Sequence, residues 1–201
     1  MIMKTMRFIL AMLLLGMTIS VAAQGEKQWM KDAKKEEKRL KKEGWQITAG
    51  SLPMLQQIYN SYKLRNEMGM NLAPKYVFGN SQSIGTFFDA AKTAATEVAK
   101  ADMVGQISTE ITRLVSEQIS AKQMSNDQAE AVMGVVEKSK SIVTQRLGVT
   151  TPVVQFYRKL PNGNTEVMMS IAYDLEKITS QSKGVVNDMM HEANLDIELA
   201  Q

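Results

Sequence analysis

The chain has 201 residues, 44% of them hydrophobic and 22% charged, with no cysteine and one histidine. The missing cysteines exclude disulfides, thiolate zinc sites and cysteine nucleophiles, and a lone histidine excludes every site built on two. The formal net charge is +3, but Lys4 and Arg7 lie in an N-terminal leader, so the remainder is close to neutral and argues against an electrostatic nucleic-acid binder.

Residues 1–23 read MIMKTMRFILAMLLLGMTISVAA. A basic start, an apolar stretch from Phe8 and the small residues Val21-Ala22-Ala23 form the three-part pattern of a signal peptide. The apolar stretch falls short of the ~20 residues a membrane-spanning helix needs. Cleavage is expected between Ala23 and Gln24, giving a periplasmic or secreted protein. Without a cysteine at that junction it is not lipidated.

Residues 26–43 (EKQWMKDAKKEEKRLKKE) interleave eight basic with five acidic residues, and Glu37 stands four residues before Lys41. Trp29, Ala33 and Leu40 make only a thin apolar stripe, so the spacing predicts a largely solvated helix. The functional alternative is an arm that meets anionic headgroups or phosphate. Glycine-bounded Trp45–Ala49 reads as a short extended piece. A helix on Leu55, Ile58, Tyr59 and Tyr62 follows, with Pro53 tolerated in its first turn. Residues 67–74 are a loop, and Tyr76-Val77-Phe78-Gly79 reads as a strand.

Between residues 86 and 122 the apolar residues Phe87, Ala91, Ala94, Val98, Ile107, Ile111 and Leu114 keep a helical rhythm. Such a helix would run roughly 55 Å, against a diameter of about 40 Å for a compact domain of this size. It must break, bend or protrude, and Gly105 is the expected break. Its alanines (90, 91, 94, 95, 99, 101) form a small face that lets a neighbouring backbone approach closely. Ser125 and Gln128 have capping-box spacing ahead of a second helix on Val132, Val135, Val136, Ser139, Ile142 and Val143. The short connection makes the two helices antiparallel neighbours.

Val153–Leu160 and Thr165–Tyr173 flank Pro161-Asn162-Gly163-Asn164, and Asn-Gly between such runs signals a hairpin. Folding about Asn162-Gly163 pairs Lys159 with Glu166, Tyr157 with Met168 and Gln155 with Ser170 on a solvent face. The other face, with Arg158–Val167, Phe156–Met169 and Val154–Ile171, is then the buried one. Two strands are marginal in water, so Tyr76–Gly79 is expected to add a third strand and the 86–122 helix to cover the ribbon. Asp174 caps a last helix on Leu175, Ile178, Val185, Met189 and Ala193, expected to reach about Leu199.

The chemistry-bearing residues are sparse. His191-Glu192 is half of a zinc-protease motif, with Leu195 where the second histidine would stand. A serine triad would have to use the same His191. Asp188 and Glu192 share a helix face, as carboxylates on any wet helix do. Phosphate-binding loops and nucleophile elbows are missing from the sequence, and Met168, Met169 and Met189 read as packing. The expected catalytic, cofactor and metal sites are therefore none.

The order of an aromatic strand ending in Gly79, an Ala-rich helix turning aliphatic (Ala90-Ala91, Ala94-Ala95, Val98-Ala99, Ile107, Ile111, Val115), a second helix and a closing ribbon covers residues 75–173. It resembles the twenty-kilodalton bacterial lipoprotein family and the similar N-terminal domain of a flagellar outer-membrane-ring assembly protein. That resemblance implies an envelope-associated structural or interaction module without assigned enzymatic activity. The lipid-accepting cysteine of the lipoproteins is missing here.

These readings give an α+β fold, a small antiparallel sheet (a strand near 75–79 and the 153–173 hairpin) covered by long helices. The organisation is a signal peptide over 1–23, a charged lead-in over 24–50 and one domain over 51–201. The leading functional expectation is an exported, non-enzymatic envelope domain whose partner is an envelope protein or a second copy. Membrane contact is peripheral at most and nucleic acid is not a partner. The alternatives are a periplasmic small-ligand module, with its pocket between the alanine face and the ribbon, and a carboxylate-dependent hydrolase using Asp188 or Glu192.

Overall fold

The computed structural model of the protein describes residues 25–69, 72–148 and 150–199. The leader and its Ala23–Gln24 junction lie outside the described residues. In chain order the elements are α1 (residues 25–42), α2 (Met54–Arg65), β1 (Tyr76–Gly85), α3 (Phe88–Ala121), α4 (Asn126–Arg146), β2 (Pro152–Lys159), β3 (Thr165–Asp174) and α5 (Leu175–Glu192). The fold is α+β, with a three-stranded antiparallel sheet in the order β1-β3-β2.

The third strand is the one anticipated at Tyr76–Gly79, but it continues through polar Asn80–Ser83 to Gly85 because every residue finds a partner on β3. Both faces of the sheet are covered. Val77, Val167, Met169 and Ile171 join a core with Ala91, Ala95, Ala99 and Met103 of α3, which α4 and α5 extend. On the opposite face, Val154 and Phe156 pack with Ala33 and Leu40 of α1, Trp45, and Met54 and Ile58 of α2. The thin stripe of α1 thus suffices to anchor it. Full burial of a side chain such as Phe156, here 1% exposed, stabilises by about 2–3 kcal/mol.

This double cover corrects the expected register. Arg158 pairs with Glu166, Tyr157 with Val167, Phe156 with Met168 and Val154 with Ser170, one residue displaced from the two-residue-turn pairing. Proline is the reason. A two-residue turn on Asn162-Gly163 would need Pro161 to donate an N–H it does not have. Leu160 N–H instead donates to Asn164 O at 2.9 Å and Gly163 N–H to Leu160 O at 2.9 Å. Pro161 sits where its fixed φ suits a type I turn, and Gly163 takes the left-handed conformation at φ +84°. Phe156 and Ile171 consequently face opposite sides of the sheet, each buried in its own core.

Helix α3 does not break at Gly105. It runs unbroken for 34 residues, about 50 Å, and protrudes past the sheet. Its first half lies on the strands, and its second half (Val104, Ile107, Ile111, Val115) is buried by α4 and α5. Gly105 is exposed, so it costs propensity without opening the core. The capping box of Ser125 and Gln128 and the Asp174 cap form as the spacing predicts.

Helix α5 stops at Glu192, short of the expected Leu199. Asn194 turns left-handed at φ +54°, while Leu195 N–H reaches Met190 O at 2.9 Å and Asn194 N–H reaches His191 O at 3.0 Å, a Schellman termination. The reversed tail buries Ile197 and Leu199. The Asn187 side chain holds both backbone groups of Leu199, at 2.8 and 2.9 Å.

Candidate functional site

Helix α2 ends over the β1 side of the sheet, and its last residue, Arg65, lands beside two strands distant in sequence. The guanidinium lies 4.1 Å above the Phe78 ring, a favourable cation–π geometry. Nη2 donates to Asn80 Oδ1 at 2.9 Å and to Ser170 Oγ at 3.4 Å, and Nε donates to Ser61 Oγ at 3.4 Å. Ser170 Oγ in turn donates to Asn80 Oδ1 at 2.9 Å. All these partners are neutral. Partial burial lowers the Arg65 pKa from its ordinary value, yet a guanidinium stays charged in any protein setting.

Arg65 stands at the mouth of a cleft of about 470 Å³ between α1, α2 and the sheet. Its apolar lining is Leu40, Ile58, Val154, Phe156 and Met168, and its polar lining includes Ser61, Tyr62, Asn80, Gln82 and Ser170. Burial raises the Tyr62 pKa, so its hydroxyl stays protonated at neutral pH. The Glu36 carboxylate at the rim is already paired with Arg39, whose hydrogen bond holds the Glu36 pKa below the usual carboxylate range. On the other side of Arg65, Glu110 is likewise committed to Arg113.

A second polar row on the same sheet face uses the register that Pro161 imposes. Arg158 Nε donates to Glu166 Oε2 and Gln82 Nε2 to Glu166 Oε1, each at 2.6 Å, and Arg158 lies 4.5 Å from the Trp45 ring. Glu166 is only 9% exposed at its side chain and is fully hydrogen-bonded, as a buried carboxylate must be.

The sheet edges are treated unequally. On β2, Gln46 pairs with Tyr157 through both backbone groups, at 2.8 and 2.9 Å, and Gln57 Oε1 accepts from Gln155 N–H at 2.8 Å. On β1, Asp102 Oδ2 accepts from Asn80 N–H at 2.9 Å and Gln106 Nε2 donates to Phe78 O at 2.8 Å. Beyond Asn80, among the described residues, no side chain caps the outer backbone of β1. Here Ile84 (56% exposed), Phe87 (59%) and Val98 (50%) lie in water. Ala94 is exposed one turn before Val98.

The charges of α1 are interleaved in sequence but sorted in space. Glu36 and Glu43 pair with Arg39, Glu37 pairs with Lys41, and Asp32 accepts from Gln28. Lys27, Lys31, Lys34, Lys35, Lys38 and Lys42 are all exposed. At about 100° per residue they share one face, opposite Ala33 and Leu40.

The residues the sequence put forward stand elsewhere. Asp188, His191 and Glu192 are exposed on α5 and line an open groove beside Asp196 and Glu198 of the returning tail. Among the described residues no group of acidic or histidine side chains is arranged to hold a metal ion, and no helix is long and apolar enough to cross a membrane. The space between the alanine face and the ribbon, where the ligand-module alternative needs its pocket, is closed by direct packing of Ala91, Ala95 and Ala99 on the strands. The Arg65 cleft was not legible in advance. A lone arginine in the last turn of a helix is an ordinary dipole partner, and its neighbours Asn80 and Ser170 come from strands that only folding brings near.

Comparison of the chain with protein-family models, with curated proteins and with solved structures found no match.

Proposed function

We propose that the chain is an exported, non-enzymatic domain of the cell envelope that works by presenting surfaces to other proteins, a second copy included. The observation that carries the reading is the exposed Ile84, Phe87 and Val98 beside the uncapped half of β1. Apolar side chains next to open backbone groups are what an added strand or helix covers. The leader pattern supports export, and the resemblance of residues 75–173 to an envelope lipoprotein family points the same way. Light scattering on the chain from Gln24 onward, with cross-linking in the envelope fraction, tests it. Dimer or partner cross-links abolished by the pair Phe87→Asp and Val98→Asp support the reading. A strict monomer that cross-links nothing refutes it.

A second contact, peripheral to a membrane, is favoured by the six lysines on the outer face of α1, which have no acidic partner among the described residues. Each lysine held near an anionic lipid surface adds about 1 kcal/mol at low salt. Co-sedimentation with phosphatidylglycerol vesicles that disappears in zwitterionic vesicles supports this contact. Equal binding to both, or to neither, rejects it.

A further inference from the structure

We propose that the cleft between α1, α2 and the sheet is a binding site for a small monocarboxylate with an apolar body, held by Arg65. The site is independent of the envelope reading.

The cation has no acidic partner among the described residues. Its nearest hydrogen-bond acceptors, Asn80, Ser170 and Ser61, are neutral, and they occupy only Nε and Nη2. Nη1 donates to nothing among the described residues. The Phe78 ring against the guanidinium and the hydrogen bonds to Asn80 and Ser61 hold the group in place. Nη1 keeps both of its N–H groups for a carboxylate oxygen, on a guanidinium already held by its other donors, so little rotamer entropy remains to be lost. Glu36 at the rim and Glu110 on the other side of Arg65 are bound to Arg39 and Arg113, so neither neutralises Arg65.

The rest of the cleft selects the body of the ligand. Leu40, Ile58, Val154 and Phe156 are buried under it and Met168 is half-buried, giving an apolar floor with a flexible thioether. The volume of about 470 Å³ falls inside the roughly 300–1,000 Å³ typical of small-molecule sites. One guanidinium matches one negative charge. A phosphate dianion would leave a charge unmatched close to Glu36, so the carboxylate is the better fit.

Sodium octanoate below its micellar range is the probe, with 1-octanol and octylamine as length-matched controls, read by methyl resonances of ¹³C-methionine-labelled protein. The expected result is a saturable shift of Met168 with octanoate, at least tenfold weaker with octanol and lost with octylamine. Met190, which is fully buried in the other core, stays unmoved. Arg65→Gln, at an exposed position, weakens octanoate at least tenfold, and Arg65→Lys falls between it and the native protein. Equal affinity for octanoate and octanol overturns the proposal, as does native-like binding by folded Arg65→Gln. So does a Met168 signal that no carboxylate from butyrate to decanoate moves. The three-ligand comparison on the native protein decides the matter even if the variants do not fold.

Discussion

Gly79 of β1 lies directly against the Ala99 carbonyl of α3: a Cβ at position 79 would stand 1.8 Å from Ala99 O and 3.1 Å from Met103 Cβ. The strand and helix can approach this closely only because position 79 has no side chain and position 99 of the helix carries just a methyl. Helix backbone cannot swing aside as a side chain can. Gly79→Ala is therefore expected to cost about 3 kcal/mol, the upper end for overpacking, seen as a lower urea midpoint. Gly105→Ala supplies the contrast. Its added methyl meets nothing within 4 Å in mid-helix and should stabilise by about 0.5–1 kcal/mol.

The hairpin makes a residue-specific prediction. Only Gly163 in the turn has positive φ, so Gly163→Val should destabilise by about 1–2 kcal/mol, the cost of a left-handed residue bearing a Cβ. Asn162→Ala loses only the acceptor that Asn164 N–H uses at 3.1 Å and should cost less, about 0.5–1 kcal/mol. A two-residue turn would have made the two costs alike. Chemical denaturation of both variants separates the cases.

Two helix ends carry left-handed residues other than glycine. Gln123 after α3 (φ +50°) and Asn194 after α5 (φ +54°) both close Schellman-type ends. Glycine adopts this conformation without the Cβ penalty. Gln123→Gly should raise stability by about 0.5–1 kcal/mol and Asn194→Gly by less, since asparagine tolerates the region better. For a protein of this size the first corresponds to roughly 1–4 °C in melting temperature, within reach of calorimetry.

Acid should release one link on α1. Arg39 lowers the Glu36 pKa through its hydrogen bond, so the ionised carboxylate is favoured in the folded state. The stabilisation is present above the unfolded-state value near pH 4 and is lost as pH falls through the lower folded-state value. Both side chains are partly solvated, so the contribution is about 0.5 kcal/mol. In Glu36→Gln the stability–pH curve should be flatter by that amount below pH 4.5, with the difference shrinking in high salt. Identical curves for the two proteins would show that the pair contributes nothing.

Which elements form was written in local chemistry. The Ser125–Gln128 box, the Asp174 cap, the strand at Tyr76 and the helical rhythm around Ala91–Ile111 all depend on residues within a few positions of each other. They could be read before folding was considered. The hairpin was legible, but its register was not, because the Asn-Gly signal outweighed Pro161, whose missing N–H governs the pairing. That one-residue difference decides which side chains face which core.

Tertiary structure alone decided the rest. Whether α3 breaks at Gly105 depends on α4 and α5 being there to bury its far half. Whether the charges of α1 cancel or separate depends on which face Ala33 and Leu40 press onto the sheet. The setting of Arg65 depends on Phe78, Asn80 and Ser170, of which Ser170 lies 105 residues away. Capping and periodicity are short-range effects that adjacent residues dictate. Desolvation, close approach and the meeting of distant side chains arise only when the whole chain has closed around its two cores.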